Sequence, residues 1–296
     1  MRPRTRAAAV AGTVALVTVG ATACGSHPGA RRALEGTAAD AHAVQAAYTA
    51  TTKAKTATFR LDAMIRAKSS SGSSQSATIT GGGQADFATK AFAVSINAPS
   101  GGTIKILLVH GTEYLQVPAA ARGQIPGHKA WVSVNLNKVS QAKLSAPFSQ
   151  VASVSNDNPT QALSQLLAVS SGVSTAGHAT VAGVPTTEYR AHVSLAKVGA
   201  KEGPNAAQAI RQQIKALGTT TVPVQVWVDA HHLVRQIRYQ APIPAAGTGG
   251  PTGSGTAALT MTFTSFGTPV QLTPPPASQT TDITNQILQH AKASSG

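Results

Sequence analysis

The sequence predicts an α+β fold dominated by one antiparallel sheet. Three observations carry this. Apolar residues alternate with polar ones at period two through most of the chain, which is the pattern of half-buried strands. Glycine, proline and serine clusters punctuate these segments at short intervals, as turns do. Three stretches break to a helical spacing, one ahead of the strands and two between them. The expected sum is roughly ten strands, most with a single apolar face.

The first helical stretch begins at Thr37, with Thr37 or Asp40 as its cap, and places Ala41, Val44 and Tyr48 on one face. Phe59, Leu61, Ala63 and Ile65 then alternate with Arg60, Asp62, Met64 and Arg66. The Ser/Gly run 68–76 reads as a loop. In the next strand Gly81, Gly82 and Gly83 mark a bulge or a sharp bend. Phe92, Val94 and Ile96 form a strand that stops at Pro99. Ile104 to Val109 is almost continuously apolar and turns at His110 and Gly111 into 112–117; 118–128 is a loop and Trp131 to Leu136 alternates again.

Asn158 followed by Pro159 is a favoured helix start, and Leu163, Leu166 and Leu167 share the inner face of that helix. Strands follow at 178–181 and 186–195, the second with Thr187, Tyr189, Ala191, Val193 and Leu195 on one side. Pro204 to Leu217 reads as an amphipathic helix, Ile210 and Ile214 inward, stopped by Gly218. Val222, Val224, Val226 and Val228 lead through a turn at 229–232 into 233–239. Leu259, Met261 and Phe263 make the last strand, and Pro274 to Pro276 end the sheet. A short helix is expected at 282–290.

The N-terminus has its own logic. Arg2, Arg4 and Arg6 precede an apolar run from Ala7 to about Val19, then small residues up to Cys24. Such a layout is that of a secretory signal peptide, and the run is short of the ~20 apolar residues a membrane span needs. Ala21-Thr22-Ala23-Cys24-Gly25 resembles a bacterial lipobox, with Ala21 where that pattern has Leu, Val or Ile. The resemblance implies a signal peptide over 1–23, a lipid on Cys24, a tether over 24–36 and a single domain over 37–296. It also implies a location on the outer face of the cytoplasmic membrane, because two or more acyl chains hold a protein stably on a bilayer. A plain secretory signal with a chance cysteine is the alternative.

Of 296 residues, 42% are hydrophobic but only 4% aromatic, so the core is aliphatic. Cys24 is the only cysteine, which excludes an intramolecular disulfide and cysteine-based metal sites. The net charge of +14, or +11 without the signal peptide, favours polyanionic partners. The charges are scattered apart from Arg31 and Arg32, and no nucleic-acid-binding motif accompanies them, so membrane phospholipids and cell-wall polymers are the expected polyanions and nucleic acid is not.

Catalytic patterns are weak. No G-x-S-x-G, H-E-x-x-H or phosphate loop occurs, and Gly253 to Ala258 precedes a strand where a dinucleotide loop follows one. His231 and His232 are neighbours in a turn and point apart, which suits a solvated hairpin tip better than a metal site. Trp131 and Trp227 sit among apolar strand residues and are expected to pack. The few carboxylates are isolated. No enzyme activity, cofactor or metal is expected.

Three stretches together resemble a known family: Gly177 to Tyr189, Trp227-Val228-Asp229 followed by Leu233-Val234-Arg235, and Phe263 to Gly267 before the proline-rich end. They resemble the actinobacterial LppX/LprA/LprF/LprG lipoproteins, relatives of the LolA and LolB carriers. The resemblance implies a curved antiparallel sheet, a half-barrel, with helices covering its concave face and an apolar cavity between them for acyl chains of lipids or lipoglycans. Candidate lining residues are Phe59, Leu61, Ile65, Ile106, Leu108, Tyr189, Val193, Val226, Val228 and Met261 from the strands, with Leu166 and Ile210 from the helices. One slip of register inverts any strand's assignment. The competing expectation is a sensor that acts through an envelope protein partner and carries no lipid.

Overall fold

The period-two segments pair into one sheet. The strands are β1 (Thr56–Lys68), β2 (Ser74–Asp86), β3 (Ala91–Asn97), β4 (Thr103–Val109), β5 (Thr112–Gln116), β6 (Trp131–Asn135), β7 (Ser174–Val181), β8 (Val184–Ser194), β9 (Thr221–Asp229), β10 (Val234–Ile243), β11 (Gly255–Phe266) and β12 (Thr280–Asp282). Their order is β12-β6-β5-β4-β3-β2-β1-β11-β10-β9-β8-β7, so the sheet is open and β1 pairs with β11 at its middle. Every pairing is antiparallel except β12 on β6. This computed structural model describes residues 37–68, 73–97, 102–139, 159–168, 172–202, 207, 210–211, 214–215, 218–243 and 255–293. The expected signal peptide, Cys24, the tether and the Asn158 cap lie outside them.

The helices are α1 (Ala38–Lys53), α2 (Leu136–Val139), α3 (Pro159–Gln165), α4 (Leu195–Glu202) and α5 (Thr284–Ala293). Thr37 and Asp40 form a capping box on α1: the Thr37 hydroxyl accepts from Asp40 N at 3.0 Å, and the Asp40 carboxylate accepts from Thr37 N. Both expected caps therefore act together. α1 lies over β7, β9 and β10, while α3 touches β2 and the 3₁₀ turn Leu166–Ala168 that continues it touches β8.

The sheet has two unlike ends. At one end short turns join β2 to β3, β4 to β5, β7 to β8 and β9 to β10, and α1 enters β1. Their tightness puts Lys55, Lys90, His110, Ala182 and His232 at positive φ. The opposite end carries the connections β1–β2, β3–β4, β8–α4–β9 and β10–β11, which we call the loop end.

Several expectations change. The described residues form twelve strands, the segment after the prolines adding β12 at the sheet edge, with Thr280 opposite Trp131. Leu195 opens α4 instead of ending β8. The described positions of the helix expected at 204–217 are helical, and Gly218 N donates to Ile214 O at 2.9 Å, as a C-terminal stop does. Leu167 does not join Leu163 and Leu166. It is exposed, because tightening from an α-turn to a 3₁₀ turn rotates it off their face. The three β2 glycines make no bulge; the register with β1 is unbroken. They permit close approach instead. A Cβ at Gly81 would lie 2.7 Å from Ser95 O, and one at Gly83 would overlap Ala93 O.

The continuously apolar β4 also finds its reason. Ile106 and Leu108 belong to the helix-covered side. Leu107 and Val109 face the other way, where with Ala91 they form a second small cluster closed by Leu272 of the segment after β11.

Candidate functional site

The helix-covered face of the sheet is apolar along its whole length. Its residues line up in cross-strand rows fixed by the register. Nearest the short turns run Ile106, Val94, Gly83, Phe59 and Phe263. Next come Ile96, Gly81, Leu61, Met261, Ile237 and Val226. A third row holds Ile79, Ala63, Leu259, Tyr239, Val224 and Ala191. A fourth, at the loop end, holds Ala77, Ile65, Ala257 and Ala241.

Burial falls along these rows. Phe263, Ile237 and Val226 are 0% exposed, and Met261 is 1% exposed. Around Phe263 the rings of Phe59, Phe87 and Phe266 lie 6.5, 6.3 and 6.3 Å away by centroids. Val44 and Ala47 of α1 and Leu163 and Leu166 at α3 complete this packing. In the third row only Val224 and Ala191 remain buried, and all four residues of the fourth are half-buried. Among the described residues, the apolar face thus outruns its helical cover toward the loop end, on β2, β1, β11 and β10.

Of the candidate lining residues, Phe59, Leu61, Ile106, Leu166, Val193, Val226, Val228 and Met261 lie buried in this layer, with Leu108 and Tyr189 partly buried against it. Ile65 has the expected orientation but sits in the half-buried fourth row. Ile210 is half-buried beside Gly199 of α4. The candidate list omitted Phe263 and Ile237, which the continued alternation of their strands would have supplied. It also omitted Thr51, which period alone does not reveal. Thr51 is 0% exposed; its hydroxyl donates to Ala47 O at 2.7 Å and accepts from Val234 N at 2.8 Å, tying α1 to β10.

Polar groups frame the layer. Thr175 Oγ1 donates to Asp40 Oδ1 at 2.7 Å, fixing the start of α1 on β7. That bond, over the opposing effect of burial, holds the Asp40 carboxyl below its usual range. Burial first, and then the negative charge of Asp40, push the Tyr189 phenol up. The Tyr239 hydroxyl donates to Ala162 O at 2.8 Å and so pins α3 to β10.

At the β9–β10 turn, Asp229 is buried. Its Oδ1 accepts from His231 N at 2.8 Å and Leu233 N at 2.9 Å, and its Oδ2 meets Arg235 Nε at 2.6 Å. Burial works to raise this carboxyl, but the bonds from Leu233 and Arg235 and the guanidinium charge hold it below its usual range. Arg235 also donates to Thr264 O and stacks 5.0 Å over Phe266. His231 and His232 are exposed at this turn, and among the described residues no group of three metal-ligating side chains gathers. Trp227 is buried and Trp131 half-buried.

Two grooves open elsewhere. One of 440 Å³ is lined by residues that include His178, Thr187 and Asp229. The other, of 530 Å³, lies at the loop end between Arg66, Ser74, Ser76 and Thr256. Among the described residues no helix is long and apolar enough to cross a membrane.

No protein-family model matches the chain. It is 27% identical over 180 residues to an uncharacterized 31.2 kDa protein in the rplA-rplJ intergenic region of Streptomyces griseus; the match spans 60% of this chain and 56% of that protein. Solved structures similar to it include the lipoprotein LppX of Mycobacterium tuberculosis, with TM-score 0.46, 11% identity and coverage of 79% of this chain and 98% of that one. LprF of Mycobacterium bovis follows with TM-score 0.40, 11% identity and coverage of 82% and 100%. A LolA superfamily protein of Nitrosomonas europaea gives TM-score 0.27 and 8% identity over 79% and 94%.

Proposed function

We propose that this chain is an envelope lipoprotein, anchored through Cys24 to the outer face of the cytoplasmic membrane, that binds amphipathic lipids by their acyl chains. One observation carries the reading: the apolar face of the sheet continues past its helical cover, so that Ala63, Ile65, Ile79 and Leu259 stay half-buried on an otherwise closed layer. An acyl chain laid there covers surface that water now reaches. Each CH₂ so buried contributes about 0.8 kcal/mol. The process needs no chemistry, only a face of the right length and a helix edge that yields. The lipoprotein-family resemblance of the sequence implies the same ligand class.

Native mass spectrometry of the unlipidated chain from Gly25, followed by organic extraction, tests this. A discrete added mass that extracts as lipid supports it and reports the chain number. A clean mass after incubation with envelope extract sinks it, and favours the alternative of a module acting on a protein partner.

A further inference from the structure

We infer that the loop end of the sheet is the surface that docks on an anionic bilayer, with the groove at Arg66 seating a lipid phosphate. Charge is unevenly divided between the two ends. Among the residues whose side chains are described, the loop end carries Arg66 from β1, Lys197 from α4, and Arg211 and Lys215 from the connection into β9, with no carboxylate beside them. The short-turn end carries Lys53, Lys55, Lys90, Lys138 and Arg235 against Asp86, Glu113, Asp229 and Asp282. One end is strongly basic and the other close to neutral.

The register spreads the basic groups along that end, from β1 across β11 and β10 to β9 and β8. Ser194, where β8 passes into α4, pairs with Thr221, and Arg66 pairs with Ser76 on one side and Thr256 on the other. Gly199 lets α4 approach the next segment closely, for a Cβ there would lie 3.2 Å from Ala207 Cα. The groove between the two hairpins sets the Arg66 side beside the hydroxyl residues Ser74, Ser76 and Thr256. A guanidinium with neighbouring hydroxyls suits a phosphate diester. Met64, two residues before Arg66 on the same face, is 39% exposed and offers an apolar contact at headgroup depth. The same end presents the half-buried fourth row, so docking there places the uncovered apolar face against its source of acyl chains.

The partner follows from the envelope-lipid reading above; the test separates the two. The full chain is labelled with a fluorophore at Thr78→Cys on the loop side or at Thr89→Cys on the short-turn side, with a chain carrying only Cys24 as background. Each is mixed with phosphatidylcholine vesicles, with or without phosphatidylglycerol, bearing a headgroup quencher. Each cation near such a surface contributes about fivefold in affinity. The expected result is quenching at position 78 and not at 89, dependent on phosphatidylglycerol. It weakens at least tenfold in Arg66→Glu/Lys197→Glu/Arg211→Glu/Lys215→Glu and persists in Lys53→Glu/Lys55→Glu/Lys90→Glu/Lys138→Glu. Equal quenching at both positions, equal loss in both variants, or no dependence on phosphatidylglycerol overturns the inference. Organic extraction of the same preparations reads the cargo separately, so a chain that docks but carries no lipid overturns only the lipid-binding reading.

Discussion

The apolar layer makes a quantitative contrast between its two ends. Phe263 is 0% exposed and meets three other aromatic rings. Truncation to alanine removes a full ring from a packed site, and such changes cost about 3–5 kcal/mol. At this chain length about 1 kcal/mol moves Tm by roughly 2–4 °C, so Phe263→Ala lowers Tm by about 6–20 °C. Ile65 faces the same side but is half-buried at the loop end. Full burial of such a side chain is worth about 1.5–3 kcal/mol; half of that, with little cavity left behind, gives about 1 kcal/mol for Ile65→Ala. Ile65→Trp, which adds volume there, is expected to leave Tm within a few degrees while reducing extractable lipid. Thermal unfolding followed by far-UV circular dichroism, with lipid extraction alongside, reads all three. If Ile65→Ala costs as much as Phe263→Ala, or Ile65→Trp unfolds the chain as an overpacked core would, the layer is solid to its end and has no room for an acyl chain.

Four further outcomes follow from the fold. Asp229→Ala strands the Arg235 guanidinium and two backbone N–H groups at a buried turn and is expected to cost about 3–5 kcal/mol in denaturant unfolding. Because the Asp229 carboxyl is held low when folded, its contribution is present above the unfolded aspartate pKa and is lost as pH falls through the lower folded value; the acid limb of a stability–pH curve flattens in Asp229→Asn. Thr51→Val keeps the shape of the side chain but leaves the buried Val234 N–H without its acceptor, for about 1–3 kcal/mol, read as a shift in urea midpoint. Gly83→Val drives a side chain into Ala93 O of the neighbouring strand and is expected to abolish soluble expression, whereas Gly123→Ala, where a Cβ meets nothing within 4 Å, retains it.

Strand positions were legible wherever alternation met a turn signal, as in β1, because one of its faces is largely buried and the other largely wet. The start of α1 was likewise legible, since Thr37 and Asp40 are residue types whose side chains cap free N–H groups, although the sequence left open which of the two does so. What was lost depends on contacts remote in sequence. β12 is three residues long and exists because β6 offers a free edge, which no local pattern announces. Leu107 and Val109 read as surplus hydrophobicity until Leu272, far along the chain, covers them. The candidate lining residues were taken from alternation, which assigns a face and not a depth. Ile65 and Met261 look alike in sequence and differ because α1 and α3 cover one row and not the other.

The same geometry explains why opening and stability need not compete. The groups that fix the fold gather at the short-turn side: the Asp229–Arg235 pair, Thr51 bridging α1 to β10, and the ring cluster at Phe263. The paired strands transmit that order along their length, since each backbone hydrogen bond is retained whether or not a side chain above it is covered. Toward the loop end the sheet therefore keeps its register, through Ala67 opposite Gln75 and Gly255, while its apolar face gives up its cover. On the reading proposed above, a ligand entering there would meet a preformed floor and displace water at the edge of the helical layer. Its acyl chains would lie on the uncovered rows, whereas Arg66, which alternates with Ile65 and so faces the other side of the sheet, would meet the phosphate of a docked bilayer lipid.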